Sequence, residues 1–366
     1  MPSTVKSLKV TYKPVNEDNT FTSGDCVSGE VSLELAKECS IDALSVKLKG
    51  KAEVLWSERH GQTTVVYHAK DKYFSLKHFF IQDKDAKGND DQTRLTDHGD
   101  DKYNRVVAAG YHVYPFSFQV PYQNLPSSFK GSAGKIVYLL EAKLSRSMRI
   151  PTKDSTKINF VSKEAETIDP ELMKPQHESK DKKMKVFNSG TVAMDVNLEK
   201  TGFFQGEGLK VIARIQNNSS RPIKLKYCVY RKHSFFAKGK RNVITKDLLK
   251  EVGEPIPPSA EEKFTRVIPI PFDVEPSIEN CSIIKVEYRL RVYLDVKYAS
   301  DPEIKFPIVI LPARLVPAAC GFGFESTEPI AWGFGPPAAP APSGAPPPYG
   351  AYGMFPPIQD FDKKCQ

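Results

Sequence analysis

The chain has 366 residues, a net charge of +8, 40% hydrophobic residues and 26% charged residues, which suits two ordinary domains with a tail, each large enough for its own core. The charge is mild for this length, and no arginine-rich cluster interleaves with aromatics, so nucleic acid is not expected as a partner. The most apolar late stretch, Phe306 to Phe324, carries Arg314 with Pro307, Pro312 and Pro317, which argues against a membrane-spanning helix.

In chain order, Met1 to Lys6 has no apolar leader-like run, so a cytoplasmic location is expected. Leu8, Val10 and Tyr12 alternate with Lys9, Thr11 and Lys13, the pattern of a strand with one buried and one wet face. Ser23-Gly24-Asp25 reads as a turn. Val31, Leu33 and Leu35, then Leu44, Val46 and Leu48, continue the strand pattern. The polar, Asp-rich segment Gln82 to Lys102 reads as a mobile loop.

Residues 113–144 then announce a repeat. Pro121, Pro126 and Ser127 return as Pro271, Pro276 and Ser277. Ile136, Tyr138, Leu140, Ala142 and Leu144 return at the same spacing as Val286, Tyr288, Leu290, Val292 and Leu294. More loosely, the Phe21, Gly24, Asp25 turn resembles Phe203, Gly206, Glu207. Two copies of one β unit are expected, the first carrying an insertion.

Between the copies, Ser162 to Lys185 is charged and poor in apolar residues, the composition of a linker. Further turns are expected at Gln205-Gly206-Glu207 and at Asn217-Asn218-Ser219-Ser220-Arg221-Pro222. Tyr227 and Val229, and then Val286 to Val296, again alternate as strands. Residues 317–357 are rich in Pro, Gly and Ala, which predicts a disordered tail with polyproline II bias. The expected organisation is all-β: a sandwich over 1–162, a charged linker over 163–188, a second sandwich over 189–313 and a tail over 314–366.

Catalytic chemistry has no visible carrier. The seven histidines are scattered, no serine sits in a nucleophile elbow, and no glycine loop precedes a helix. The six cysteines form no CxxC pair and no zinc spacing, so a reduced compartment and no metal or cofactor are expected. One motif has a mechanism. Pro346, Pro347 and Tyr349 form a PPxY sequence, the ligand pattern of WW domains. Its prolines pre-set an extended helix that docks into an aromatic groove at low entropic cost.

Two sandwiches with a PPxY tail resemble the arrestin superfamily, and within it the arrestin domain-containing (α-arrestin) proteins. The residues that carry the resemblance are Tyr111 to Pro121 with Asn124 to Phe129, the turn Asn217 to Arg221, the block Pro276 to Tyr288, and Phe306 to Ile310. The match spans about residues 5–312. It implies tandem immunoglobulin-like sandwiches of the arrestin fold. It also implies an adaptor, not an enzyme. The body would engage membrane receptors or transporters as cargo, with peripheral contact at plasma membrane and endosomes. The tail would recruit WW-domain HECT (NEDD4-class) ubiquitin ligases, leading to ubiquitination and endocytosis. Lys6, Lys9 and Lys13 are the expected contacts to acidic or phosphorylated cargo. A retromer-like sorting scaffold and an intracellular signalling scaffold are the alternatives, neither of which needs a WW ligand.

The chain departs from the family pattern in places. Only one PPxY is clear, because Phe355-Pro356-Pro357-Ile358 lacks the tyrosine, and no arginine follows Arg314. No clathrin-box-like stretch follows residue 312, and Glu254 to Lys263 has no cysteine for redox pairing.

Overall fold

The computed structural model describes residues 4–82, 105–162, 169–184, 190–296 and 301–313. The Asp-rich segment beyond Gln82 and the whole tail, with its PPxY motif, lie outside these residues. The first half contains β1 (Val5–Tyr12), β2 (Thr20–Phe21), β3 (Cys26–Leu35), β4 (Cys39–Ser40), β5 (Ala43–His60), β6 (Thr63–Gln82), β7 (Val106–Val107), β8 (Gly110–Gln119), β9 (Phe129–Lys130), β10 (Gly134–Ser145) and β11 (Thr152–Phe160). The second contains β12 (Gln176–Met184), β13 (Gly190–Leu198), β14 (Gly202–Phe204), β15 (Gly208–Asn218), β16 (Ile223–Ala237), β17 (Lys240–Ile256), β18 (Ala260–Pro269), β19 (Ile284–Asp295) and β20 (Glu303–Leu311).

The two halves share one topology. One sheet runs β1-β3-β8 in the first and β13-β15-β18 in the second. The facing sheet runs β2-β11-β10-β5-β6 and β14-β20-β19-β16-β17. In both, a very short strand joins the final strand in parallel, β2 to β11 and β14 to β20. The repeated residues are core: Ile136, Tyr138, Leu140, Ala142 and Leu144, and their counterparts Val286 to Leu294, are all buried. Alternation along β10 and β19 sends these side chains between the sheets and their neighbours to the outside. The buried residues of both halves form a continuous apolar cluster.

The polar supports repeat too. Tyr138 Oη donates to the Pro126 carbonyl at 2.7 Å, and Tyr288 Oη to the Glu275 carbonyl at 2.5 Å. Ser127 Oγ accepts from Ser162 N–H at 3.0 Å, and Ser277 Oγ from Ile310 N–H at 2.9 Å. Gly24 and Gly206 sit at φ +87° and +81°, where side chains are disfavoured. The Tyr122 ring lies where a Cβ on Gly24 would stand, and the Phe272 ring does the same at Gly206. Asp25 and Glu207 brace the two turns, each carboxylate accepting a backbone N–H at 2.8 Å.

One expectation needs correction. Gln176–Met184, part of the stretch read as linker, is strand β12, paired antiparallel to β13 across its whole length. It is an edge strand of polar side chains, held by backbone bonds, so apolar alternation could not reveal it. It makes the second smaller sheet four-stranded, β12-β13-β15-β18, where the first has three strands.

Candidate interaction surfaces

Among the described residues no strand corresponds to β12 in the first sandwich, and β1 pairs with β3 alone. Opposite the β3 pairing, the Val10 N–H donates to Asp154 Oδ2 at 2.8 Å, and Tyr12 Oη donates to the Lys157 carbonyl at 3.4 Å. These two contacts tie β1 to β11.

The three lysines expected to contact cargo are all exposed, but they are not gathered alike. Lys9 on β1 and Lys13 just past its end are both exposed, and neither forms an ion pair among the described residues. Lys6 sits within a register irregularity of β1, between Val5 and Ser7. It pairs with Glu34 at 3.1 Å. Glu30, opposite Thr11, adds a second carboxylate to the same sheet. The face is therefore mixed in charge. Pro346, Pro347 and Tyr349 lie outside the described residues.

The seam between the sandwiches was not legible in the sequence. Phe235, at the end of β16, packs its ring where a Cβ on Gly131 or Gly134 would stand. Phe129 and His233 meet edge-to-face, with ring centroids 5.2 Å apart at 85°. Tyr73 Oη donates to Cys281 Sγ at 3.2 Å, Ser282 Oγ to Asp71 at 2.7 Å, and Asn280 Nδ2 to Asn124 Oδ1 at 2.5 Å. Lys238 Nζ reaches the Val66 carbonyl at 2.9 Å. Burial, reinforced by the bond to Cys281, holds the Tyr73 phenol well above its usual range.

His233 is buried in this seam, and its Nε2 has no partner among the described residues. Burial first, and the Arg231 charge second, lower its pKa, with Glu275 opposing. The unfolded imidazole gains its proton near pH 6.5, and the folded one only at lower pH. This contribution to stability is therefore whole above about pH 6.5 and is lost as pH falls through the folded value. The thermal midpoint should drop on acidification, and the drop should be shallower in His233→Leu. Identical pH slopes in the two proteins would contradict the assignment.

Among the described residues, no group of three or more His, Cys, Asp or Glu side chains is placed to hold a metal. No helix among them is long and apolar enough to cross a membrane. Cys228 and Cys281 are buried, and burial pushes the Cys228 thiol up to about 11.

Residues 9–166 match the arrestin (or S-antigen) N-terminal domain, and residues 188–315 match the arrestin (or S-antigen) C-terminal domain. Arrestin domain-containing protein 4 of Mus musculus is 26% identical over 315 residues, covering 84% of this chain and 72% of the relative. The Homo sapiens protein of the same name is 27% identical, covering 84% and 71%. Thioredoxin-interacting protein of Rattus norvegicus is 27% identical over 312 residues, covering 84% and 74%. Matched domains covering both sandwiches, and relatives aligned through both, show that the chain belongs to the arrestin family, in its arrestin domain-containing (α-arrestin) branch.

Proposed function

We propose that the chain is a non-enzymatic adaptor that links membrane receptors or transporters to WW-domain HECT (NEDD4-class) ubiquitin ligases. The observation that carries this reading is the presence, in one chain, of a tandem arrestin body and a PPxY tail at Pro346, Pro347 and Tyr349. The body supplies a broad surface, with exposed Lys9 and Lys13 for acidic or phosphorylated cargo segments. The tail supplies a WW ligand with little ordering cost. A single motif binds modestly, so cargo and ligase held together on one membrane provide the effective concentration that stabilises the complex. The working location is cytoplasmic, at the plasma membrane and endosomes.

Co-precipitation from cells tests the division of labour. Tyr349→Ala should lose the ligase and cargo ubiquitination while still capturing cargo. Lys9→Glu with Lys13→Glu should lose cargo and keep the ligase. Undiminished cargo ubiquitination in Tyr349→Ala would overturn the ligase link, and undiminished capture in the lysine variant would remove β1 from the cargo site.

A further inference from the structure

The outer face of the larger sheet in the first sandwich carries lysines on four adjacent strands. Lys143 of β10 stands directly opposite Lys153 of β11, and Lys47 of β5 directly opposite Lys77 of β6. Lys157 and Lys49 flank Leu139 one row further along the same face. Like charges placed directly opposite each other weaken a sheet. Glu141 is the carboxylate in their midst, and it is taken by Lys49 at 2.9 Å. Burial works against its ionisation. The hydrogen bond from Lys49 and the charges of Lys49, Lys153 and Lys47 nevertheless hold its carboxyl below the usual range.

The duplicated half provides an internal comparison. Its equivalent sheet pairs several of its outward cations with carboxylates: Lys226 with Asp295 at 2.7 Å, Lys232 with Glu287 at 3.2 Å, and Arg291 with Glu303 at 2.5 Å.

The β10–β11 hairpin of this sheet ends in Arg146-Ser147-Met148-Arg149-Ile150. Its turn is closed by the Arg149 N–H on the Arg146 carbonyl at 3.2 Å, with Met148 at φ +52°. Met148 is 100% exposed and Ile150 91% exposed. Arg146 and Arg149 form no ion pair among the described residues. Apolar tips flanked by arginines suit the boundary between lipid headgroups and acyl chains.

We propose that this lysine face and the Arg146–Ile150 tip together form a docking surface for an anionic lipid bilayer. The surface deepens the proposed adaptor role by giving the body its own hold on the membrane that carries cargo. The face spans four strands, about 15 Å. Its inner strands β10 and β5 are hydrogen-bonded on both sides, so the centre of the face offers no edge for an acidic peptide to pair with. An acidic peptide would also leave Met148 and Ile150 without a role, whereas a bilayer engages both the charge and the apolar tip.

The test is co-sedimentation of the full chain with vesicles of phosphatidylcholine alone, or of phosphatidylcholine with phosphatidylserine. The protein should bind only the anionic vesicles, and high salt should release it. Each lost positive charge should weaken partitioning about fivefold. Lys143→Glu with Lys153→Glu and Lys157→Glu should therefore abolish measurable binding. Met148→Ser with Ile150→Ser should weaken it by about tenfold while leaving salt dependence intact. Unchanged thermal midpoints and unchanged binding of an isolated WW domain report that the variants are folded and that the tail works. Equal recovery on both vesicle types, equal binding by the charge variant, or capture of a polyglutamate peptide in place of vesicles would overturn the proposal. Loss of WW binding by the native protein would count against the ligase link and leave this surface standing.

Discussion

Asn217→Ala lowers the unfolding free energy by about 3–4 kcal/mol, read as a fall in the urea midpoint with the slope unchanged. Asn217 is fully buried, 0% exposed, at the end of β15. Its amide donates to the carbonyls of Arg221, Ile256 and Pro257 at 2.8, 3.1 and 2.9 Å. Its Oδ1 accepts from the N–H and the hydroxyl of Ser219 at 3.2 and 2.6 Å. One side chain thus closes the turn that follows β15 and fastens it to the end of β17. Alanine leaves several of these groups buried without partners, each costing about 1–3 kcal/mol, and water entering the gap recovers part of that. Its exposed neighbour is the control, since Asn218→Ala should stay within about 0.5 kcal/mol of the native protein. A loss below about 1 kcal/mol for Asn217→Ala would mean that the network does not hold the turn.

Phe235→Ala should cost about 3–5 kcal/mol and also divide one unfolding transition into two. The ring is fully buried, 0% exposed, although it sits near the end of β16. Much of what covers it belongs to the other sandwich, where Gly131 and Gly134 lie flat against it. Its removal opens a cavity at the seam, so the loss falls on the coupling between halves as well as on the second half. Gly134→Val approaches the same contact from the opposite side. A Cβ there would stand 2.8 Å from Val54 and 2.9 Å from Phe235, so the halves should uncouple in that variant too. Calorimetry of the full chain checks both. A single sharp transition, shifted as an ordinary core substitution would shift it, would contradict a coupling role for the seam.

The repeat was the most legible part of the chain because it records core positions. Strand alternation at Ile136 to Leu144 and again at Val286 to Leu294 is a local signal, and the structure buries all ten residues. The turns at Gly24 and Gly206 were legible for a related reason, since a positive φ demands a particular residue. Strand β12 was not legible. Its polar residues are held by backbone bonds to β13, which impose no side-chain pattern. The sequence places Lys6 just before the first strand, whereas the structure holds it inside β1, at the irregularity between Val5 and Ser7, which apolar alternation does not reveal. The seam and the lysine face both depend on residues far apart in the chain. Phe235 meets Gly131, and Lys47 meets Lys77, only after the sheets have formed. The PPxY motif is the reverse case, a short local signal that needs no fold to be read.

The adaptor reading rests on the tail, and calorimetric titration of the full-length protein with an isolated WW domain tests it most directly. The native chain should bind with a dissociation constant on the order of micromolar, about −8 kcal/mol. Tyr349→Ala should weaken binding at least about tenfold, because the ring and hydroxyl lose their pocket. Equal affinity for the native and substituted proteins, or no binding by either, would contradict the account.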